Sequence, residues 1–410
     1  MAEQTSPALS VAEAKARILA DLAPVAVEIV TLAALAVDAA PRVLALPRAA
    51  KLTQPPFDAS AMDGYAVRVA DVTALPATLD VIGEAAAGAG FAGRIGAGQA
   101  VRIFTGAPVP DGADAIVIQE NTRRDGTRVT VIEGRADAGH IRAQGFDFRS
   151  GDALLAGGRR LTARDITLAA AMGHGALPLY RRPRVALIAT GNELVWPGTV
   201  PGTDQIVCSN PFGIAQMVAR AGGLPEILAI ARDDRADLTA RLSEARGADI
   251  VVTIGGASVG DHDLVGPVLA EMGLALDFWK IAMRPGKPLM FGRLGAQRML
   301  GLPGNPVSSL ICARVFLVPL IEALVGLAEP DGGLIAAVAA RDIEANGPRA
   351  HYMRATTSRA RDGRRMATPV ASQDSSLLTP LTAADCLIVR APHVPETPAG
   401  GAIEILPLDF

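Results

Sequence analysis

Three apolar runs in the second half of the chain constrain its fold more than any other feature. They are PRVALIATG (183–191), EILAIARDD (226–234) and ADIVVTIGG (248–256), and a helix-patterned segment follows each one. A strand that stays apolar instead of alternating is buried on both faces, the condition of a strand inside a parallel sheet. The following segments carry helix signals. SNPFGIAQMVARAGG (209–223) places Ser209 or Asn210 as cap, Pro211 in the first turn and glycine at the end, and RADLTARLSEARG (235–247) and DHDLVGPVLAEMG (261–273) repeat the design. RMLGLPGNP (298–306) and a long helix over 307–326 complete the set. Strand–helix alternation predicts a parallel sheet covered by helices on both faces, with ligands beyond the carboxyl ends of the strands.

The polar residues collect at those ends. The first strand exits through TGNEL (190–194), the second through Asp233 and Asp234, the third through GGASVGDHD (255–263), and a fourth through GLPGNPVSS (301–309). On composition alone GGASVG is either a strand-to-helix turn or an anion cradle, because glycine lets backbone N–H groups approach a phosphate closely. KIAMRPGKP (280–288) sets Lys280, Arg284 and Lys287 in one loop, which is either a solvated turn or a grip on an anion. Glu193, Asp233 and Asp263 face that loop in the predicted arrangement. Each alone reads as a cap or surface acid; together they suit Mg2+ held against phosphate oxygens. Such a cation or the three basic residues must offset the repulsion between carboxylates and a polyanion, about 4 kcal/mol per pair at 4 Å and an effective dielectric of 20.

The flanks read differently. Ser10 and Glu13 form a capping-box pattern ahead of a helix over 11–23. PPFDASAMDGYAV (55–67) is a proline-led turn presenting Asp58 and Asp63, and it opens a β-rich region over 66–142. LTARDITLAAAMG (161–173) returns to helix, and short strands resume beyond Pro330. With 410 residues, several domains are expected.

Composition narrows the class. A net charge of −3 argues against a nucleic-acid binder working by overall positive charge. Three distant cysteines, Cys208, Cys312 and Cys386, make neither a disulfide framework nor a zinc site, and fit a reducing cytoplasm. The most apolar stretch (308–327) carries Arg314, Pro319 and Glu322, so a buried helix is expected and no membrane partner. The five histidines show no metal spacing, and no Ser/His/Asp or Cys/His triad can be argued.

Six segments in order, FDASAMDGYAV, RIFTGAPVP, ATGNEL, GGASVGDHD, AMRPGKP and GLPGNPVSS, make the whole chain similar to one family: the molybdopterin molybdenumtransferases of the MoeA and gephyrin E-domain type. The resemblance implies an α/β multidomain fold. Its parts are an α-rich discontinuous domain (1–52 and 144–180), an inserted β-rich domain (53–143), a MogA-like parallel α/β domain (181–327) and a small C-terminal β-barrel (328–410). It implies a cytoplasmic homodimer with its cleft at the subunit contact, and an adenylyltransferase as a candidate partner. The implied reaction inserts molybdate into adenylylated molybdopterin, releasing AMP with Mg2+ present. Residue by residue, the resemblance assigns catalysis to Asp63, Glu193, Asp263, Lys280 and Arg284, and the metal to Glu193, Asp233 and Asp263. Substrate binding falls to Thr105, Gly255, Gly256, Ser258, Gly260, Lys287, Pro303, Asn305, Arg354 and Ser375. Asp63 is expected to reach the α/β rim across the dimer. Two positions depart from the common pattern: Asn192 stands where many relatives carry Asp, and Arg284 where many carry Lys. A molybdopterin adenylyltransferase, which shares the α/β domain, and a non-catalytic pterin-binding scaffold are the alternatives.

Overall fold

The computed structural model describes residues 8–134, 136–256, 264–328, 330 and 333–408. Its centre is a six-stranded sheet in the order Leu224–Ile227, Arg184–Ala189, Ile250–Ile254, Gln297–Leu302, Met290–Leu294, Ala275–Phe278. The first four strands run parallel, in keeping with the apolar runs. Met290–Leu294 runs against both its neighbours, so the expected parallel sheet gains a mixed edge. The reason is local: only Gly295 and Ala296 separate Met290–Leu294 from Gln297–Leu302, and two residues can close a hairpin but not a crossover.

The strands alternate between two cores. Val185, Leu187, Ile250, Val252, Leu300 and Leu302 face Ile214, Met217 and the helical stretch from Val307 onward. Ala186, Ile188, Val251 and Met299 face Leu238, Leu242, Val268 and Leu269 on the other side. Helix Asn210–Ala221 has Pro211 in its first turn and Gly222 at φ +98 just past its end. In helix Arg235–Glu244 the Asp234 side chain accepts from the Ala236 and Asp237 amides.

The predicted long helix runs from Pro306 to Leu324, with a wider turn over Ala313–Leu317. Pro319 has no N–H to return to the preceding turn and its ring crowds that carbonyl, which accounts for the widening. Among the described residues this is the one helix long and apolar enough to cross a membrane, and 78% of its apolar window is buried inside the fold.

Helix Val11–Leu19 carries the predicted Ser10/Glu13 box but is shorter than expected; Ala20 is already extended and Asp21 has φ 51. Its buried face, Ala14 and Ile18, packs into the α/β core, and Ala282 donates to the Leu9 carbonyl. The segment expected to open the α-rich domain therefore docks on the neighbouring one. What remains around 27–52 and 144–180 combines two short helices, Leu32–Val37 and Ala163–Ala171, with the antiparallel pair Val27–Thr31 and Ala176–Tyr180 over a core of Leu44, Met172, Leu177 and Leu179.

The inserted region forms its own six-stranded sheet, built from Gly64–Val67, Ala77–Ala85, Gln99–Ile103, Ala115–Ile118, Thr122–Asp125 and Arg128–Val131. At the C-terminus, Ala350–Arg359 pairs with both Arg365–Pro369 and Cys386–Arg390. This closes a five-stranded barrel completed by Ile335–Ala339 and Ala402–Pro407. The short strand Met283–Arg284 leaves the α/β domain to pair in parallel with Ala350 and His351. That pairing ties the basic loop to the barrel.

Candidate active site

A cleft of about 580 Å3 opens beyond the carboxyl ends of the parallel strands, where the sheet geometry predicts a ligand site. Thr190, Glu193, Gly255, Gly256, Pro303 and Asn305 line it, so the exits of three different strands converge there.

The Glu193 loop is held from both sides. The Asn192 amide donates to Asp233 Oδ2 at 3.2 Å, and the Asp233 amide donates to Asn192 Oδ1 at 3.2 Å. Arg232 adds bonds from one guanidinium nitrogen to the Asn192 and Leu194 carbonyls. Glu193 itself is exposed, and among the described residues its carboxylate has no hydrogen-bond donor. Burial, reinforced by the charge of Glu193, pushes the neighbouring Cys208 thiol up to about 11.

The glycine turn fits tightly beneath the cleft. A β-carbon on Gly256, at φ +61, would lie 2.4 Å from Val265 Cγ2 and 3.1 Å from Thr190 Oγ1. Any side chain there would displace the wall, so this approach requires glycine. Ser258, Gly260 and Asp263 lie outside the described residues. Among the described residues, no group of three His, Cys, Asp or Glu side chains is arranged to hold a metal ion.

The opposite wall joins two domains. Asn210 Nδ2 donates to the Gly304 carbonyl at 2.8 Å, and Asn305 Nδ2 donates to Ser375 Oγ at 3.2 Å. The Val307 amide donates to the Ser375 carbonyl, seating the barrel loop on the start of helix Pro306–Cys312. Ser376 beside it lines the cleft. Asn305 and Ser375 thus meet, and Pro303 lines the cleft beside Asn305. Arg354 is placed differently from a substrate contact: it is 1% exposed, and its guanidinium donates to the Ser372, Asp374 and Leu377 carbonyls at 2.9–3.0 Å.

Lys280, Arg284 and Lys287 are all exposed on one loop, which closes where the Ile281 amide donates to the Lys287 carbonyl. Pro288, next to Lys287, lines the cleft, whereas Arg284 faces a neighbouring groove with Arg341, His351 and Arg390. Gly286 shapes this loop; it has φ +108, and a β-carbon there would meet Cys312 Sγ at 2.3 Å.

Asp63 and Thr105 come together on the inserted domain. Asp63 Oδ1 accepts from the Thr105 amide and hydroxyl, both at 2.8 Å. Those two donors hold the carboxyl below its ordinary range, so it is ionised and aimed outward. Within one chain the pair does not line the cleft. Sequence reasoning missed Thr190, Asn210, Gln373 and Ser376. Thr190 and Asn210 sat in the quoted strand exit and helix start, but Gln373 gave no signal because its role depends on a contact 19 residues away.

Comparison with known proteins adds whole-chain evidence. Family models match at residues 9–173 (MoeA N-terminal region, domains I and II), 186–323 (probable molybdopterin binding domain) and 336–408 (MoeA C-terminal region, domain IV). The chain belongs to the MoeA family. A Haemophilus influenzae protein named molybdopterin molybdenumtransferase is 34% identical over 376 residues, 91% of this chain and 92% of that protein. A Nostoc protein of the same name is 40% identical over 296 residues, 70% of this chain and 68% of that protein. The crystal structure of the MoeA protein of Pyrococcus horikoshii superposes with a TM-score of 0.82 at 28% identity, covering 98% of this chain and all of that one. The MoeA match thus spans the inserted sheet, the α/β domain and the barrel, the parts that carry the site residues above.

Proposed function

We propose that this chain is a molybdopterin molybdenumtransferase that inserts molybdate into adenylylated molybdopterin and releases AMP. The observation that carries the reading is the cleft itself. Backbone at Gly255 and Gly256, the amides of Asn210 and Asn305, and a free Glu193 converge beside a loop bearing three exposed cations. Two anions, a nucleotide-linked pterin and a tetrahedral dianion, need such a mixture of positive charge and fixed dipoles. Lys280 and Lys287 neutralise phosphate and oxyanion charge, and Arg284 extends that field toward the barrel.

Glu193 supplies the hard oxygen donor that Mg2+ requires, and that ion keeps most of its water and takes few protein ligands. Asp233 has one carboxylate oxygen engaged by the Asn192 amide, so in this reading it serves Glu193 by fixing the loop. When bound, the cation lowers the charge of the phosphoanhydride; the residues of this chain orient it. Asp63, ionised and exposed, completes the site from a second copy of the chain in a homodimer. Three buried free thiols and the buried apolar helix support a cytoplasmic protein.

The deciding assay incubates purified protein with adenylylated molybdopterin, molybdate and Mg2+. Molybdate-dependent AMP release is the expected result. Its absence would remove the reading, and formation of adenylylated product from ATP and molybdopterin would replace it with adenylyl transfer.

A further inference from the structure

We infer that half-buried Gln373, together with buried Arg354, forms a clamp that sets Ser375 and Asn305 at the cleft, which makes Gln373 and Arg354 positioning residues for the reaction proposed above. The inference rests on that reading.

The clamp follows from a gap in the barrel ladder. Ala350–Arg359 pairs with Arg365–Pro369 only as far as Ala355 opposite Pro369. Beyond that point the Val370 amide still donates to the Arg354 carbonyl at 3.0 Å, but the Arg354 amide finds no backbone acceptor, and an orphan N–H is expensive. The Gln373 side chain supplies the missing acceptor. Its Oε1 accepts from the Arg354 amide at 3.0 Å and its Nε2 donates to the Arg354 carbonyl at 2.9 Å. The Arg354 side chain then reaches into the loop that Gln373 anchors, bonding the carbonyls of Ser372, Asp374 and Leu377. Loop and strand lock each other.

The output of the lock is Ser375. Its carbonyl receives the Val307 amide and its hydroxyl receives Asn305 Nδ2. Arg354 commits three of its five N–H donors to carbonyls and is almost fully enclosed, which keeps a substrate oxyanion from reaching it. Its positive charge acts at a distance, and its geometry acts through the loop.

Two measurements test this. In the first, Gln373→Leu is compared with Ser375→Ala and the double variant by molybdate-dependent AMP release. Gln373→Leu should raise the KM for molybdate or pterin substrate about tenfold. Added to Ser375→Ala, it should change the rate less than twofold further, because both remove one arrangement. Arg354→Lys should not rescue, since an ammonium cannot span three carbonyls. Kinetics at the parent level in Gln373→Leu, multiplicative effects in the double variant, or full activity in Arg354→Lys would each overturn the clamp. The second measurement needs no turnover: the Val307 amide should exchange its hydrogen at least tenfold faster in Gln373→Leu than in the parent. Unchanged exchange rejects the clamp even if the reaction is something else, whereas faster exchange without AMP release rejects only the reaction.

Discussion

Gly286 links packing to the basic loop closely enough for a quantitative prediction. A methyl group at this position meets two obstacles. The backbone sits at φ +108, where a side chain costs about 1–3 kcal/mol in strain. The new β-carbon would also lie 2.3 Å from Cys312 Sγ, more than an ångström inside ordinary contact, and overpacking of that kind costs about 1–3 kcal/mol. Gly286→Ala should therefore destabilise by about 2–6 kcal/mol, a large share of the roughly 5–15 kcal/mol that holds a domain together. The two terms separate by experiment. Cys312 is fully buried, and Cys312→Ala removes the atom that the methyl strikes at the cost of a small void. Thermal or urea unfolding of Gly286→Ala, Cys312→Ala and the double variant should show the double variant more stable than the sum of the singles, leaving mainly the backbone strain. AMP release should fall with Gly286→Ala and return in part with the double variant, because Arg284 and Lys287 flank the glycine. A Gly286→Ala protein as stable as its parent, or strictly additive effects, would refute the claim that the thiol dictates the glycine.

Asp233→Asn keeps an oxygen for the Asn192 amide and keeps the backbone bond to Asn192 Oδ1, so its AMP release should stay within about threefold of the parent. Asp233→Ala should lose about tenfold by freeing the Glu193 loop. A Mg2+ requirement that rises equally in both variants would instead make Asp233 a metal ligand. His351 supplies a pH test. Burial, and then the charges of Arg284, Arg349, Arg390 and Arg354, hold its pKa down to about 4. The unfolded chain takes up this proton near pH 6.5 and the folded one near 4, so the stability His351 confers is complete above about pH 6.5 and is lost as the pH falls through that window. His351→Gln should flatten the unfolding profile between pH 4 and 6.5, and an NMR titration of the imidazole with a midpoint above 6 would reject the assignment.

Much of this architecture was legible because burial writes itself into composition. Val185–Ile188 is apolar on every residue and Ile250–Ile254 on every residue but Thr253, and all are buried, as a strand covered on both faces requires. Caps were legible for the same local reason: Ser10 and Gly222 act within a few residues of themselves. The antiparallel edge was less visible, since the Gly295–Ala296 turn is short and its flanking strands also read as apolar. The docking of Val11–Leu19 on the α/β domain could not be read at all. An amphipathic helix announces that it has a buried face, but not which of several cores receives it. The site divides along the same line. Glu193, Gly256 and Asn305 were found at strand exits because topology places such exits together. Arg354, expected to bind substrate, instead bonds backbone carbonyls, which leave no imprint on the sequence of the loop that supplies them.

The substitution at position 192 shows how charge and geometry separate in this cleft. The loop clip needs an oxygen at residue 192 to accept the Asp233 amide, and Asn and Asp offer that oxygen alike. What Asn192 changes is the field. An Asp there would set a third carboxylate beside Glu193 and Asp233, and a close pair of like charges costs about 4 kcal/mol at 4 Å and an effective dielectric of 20, less where water reaches them. Asn192 keeps the clip while lowering the negative potential that an incoming polyanion meets. Arg284 keeps the charge a Lys would carry and presents a fork of donors, but to the neighbouring groove and not to the cleft. Asn192 thus eases the field of the cleft without disturbing the bonds that hold the Glu193 loop in place.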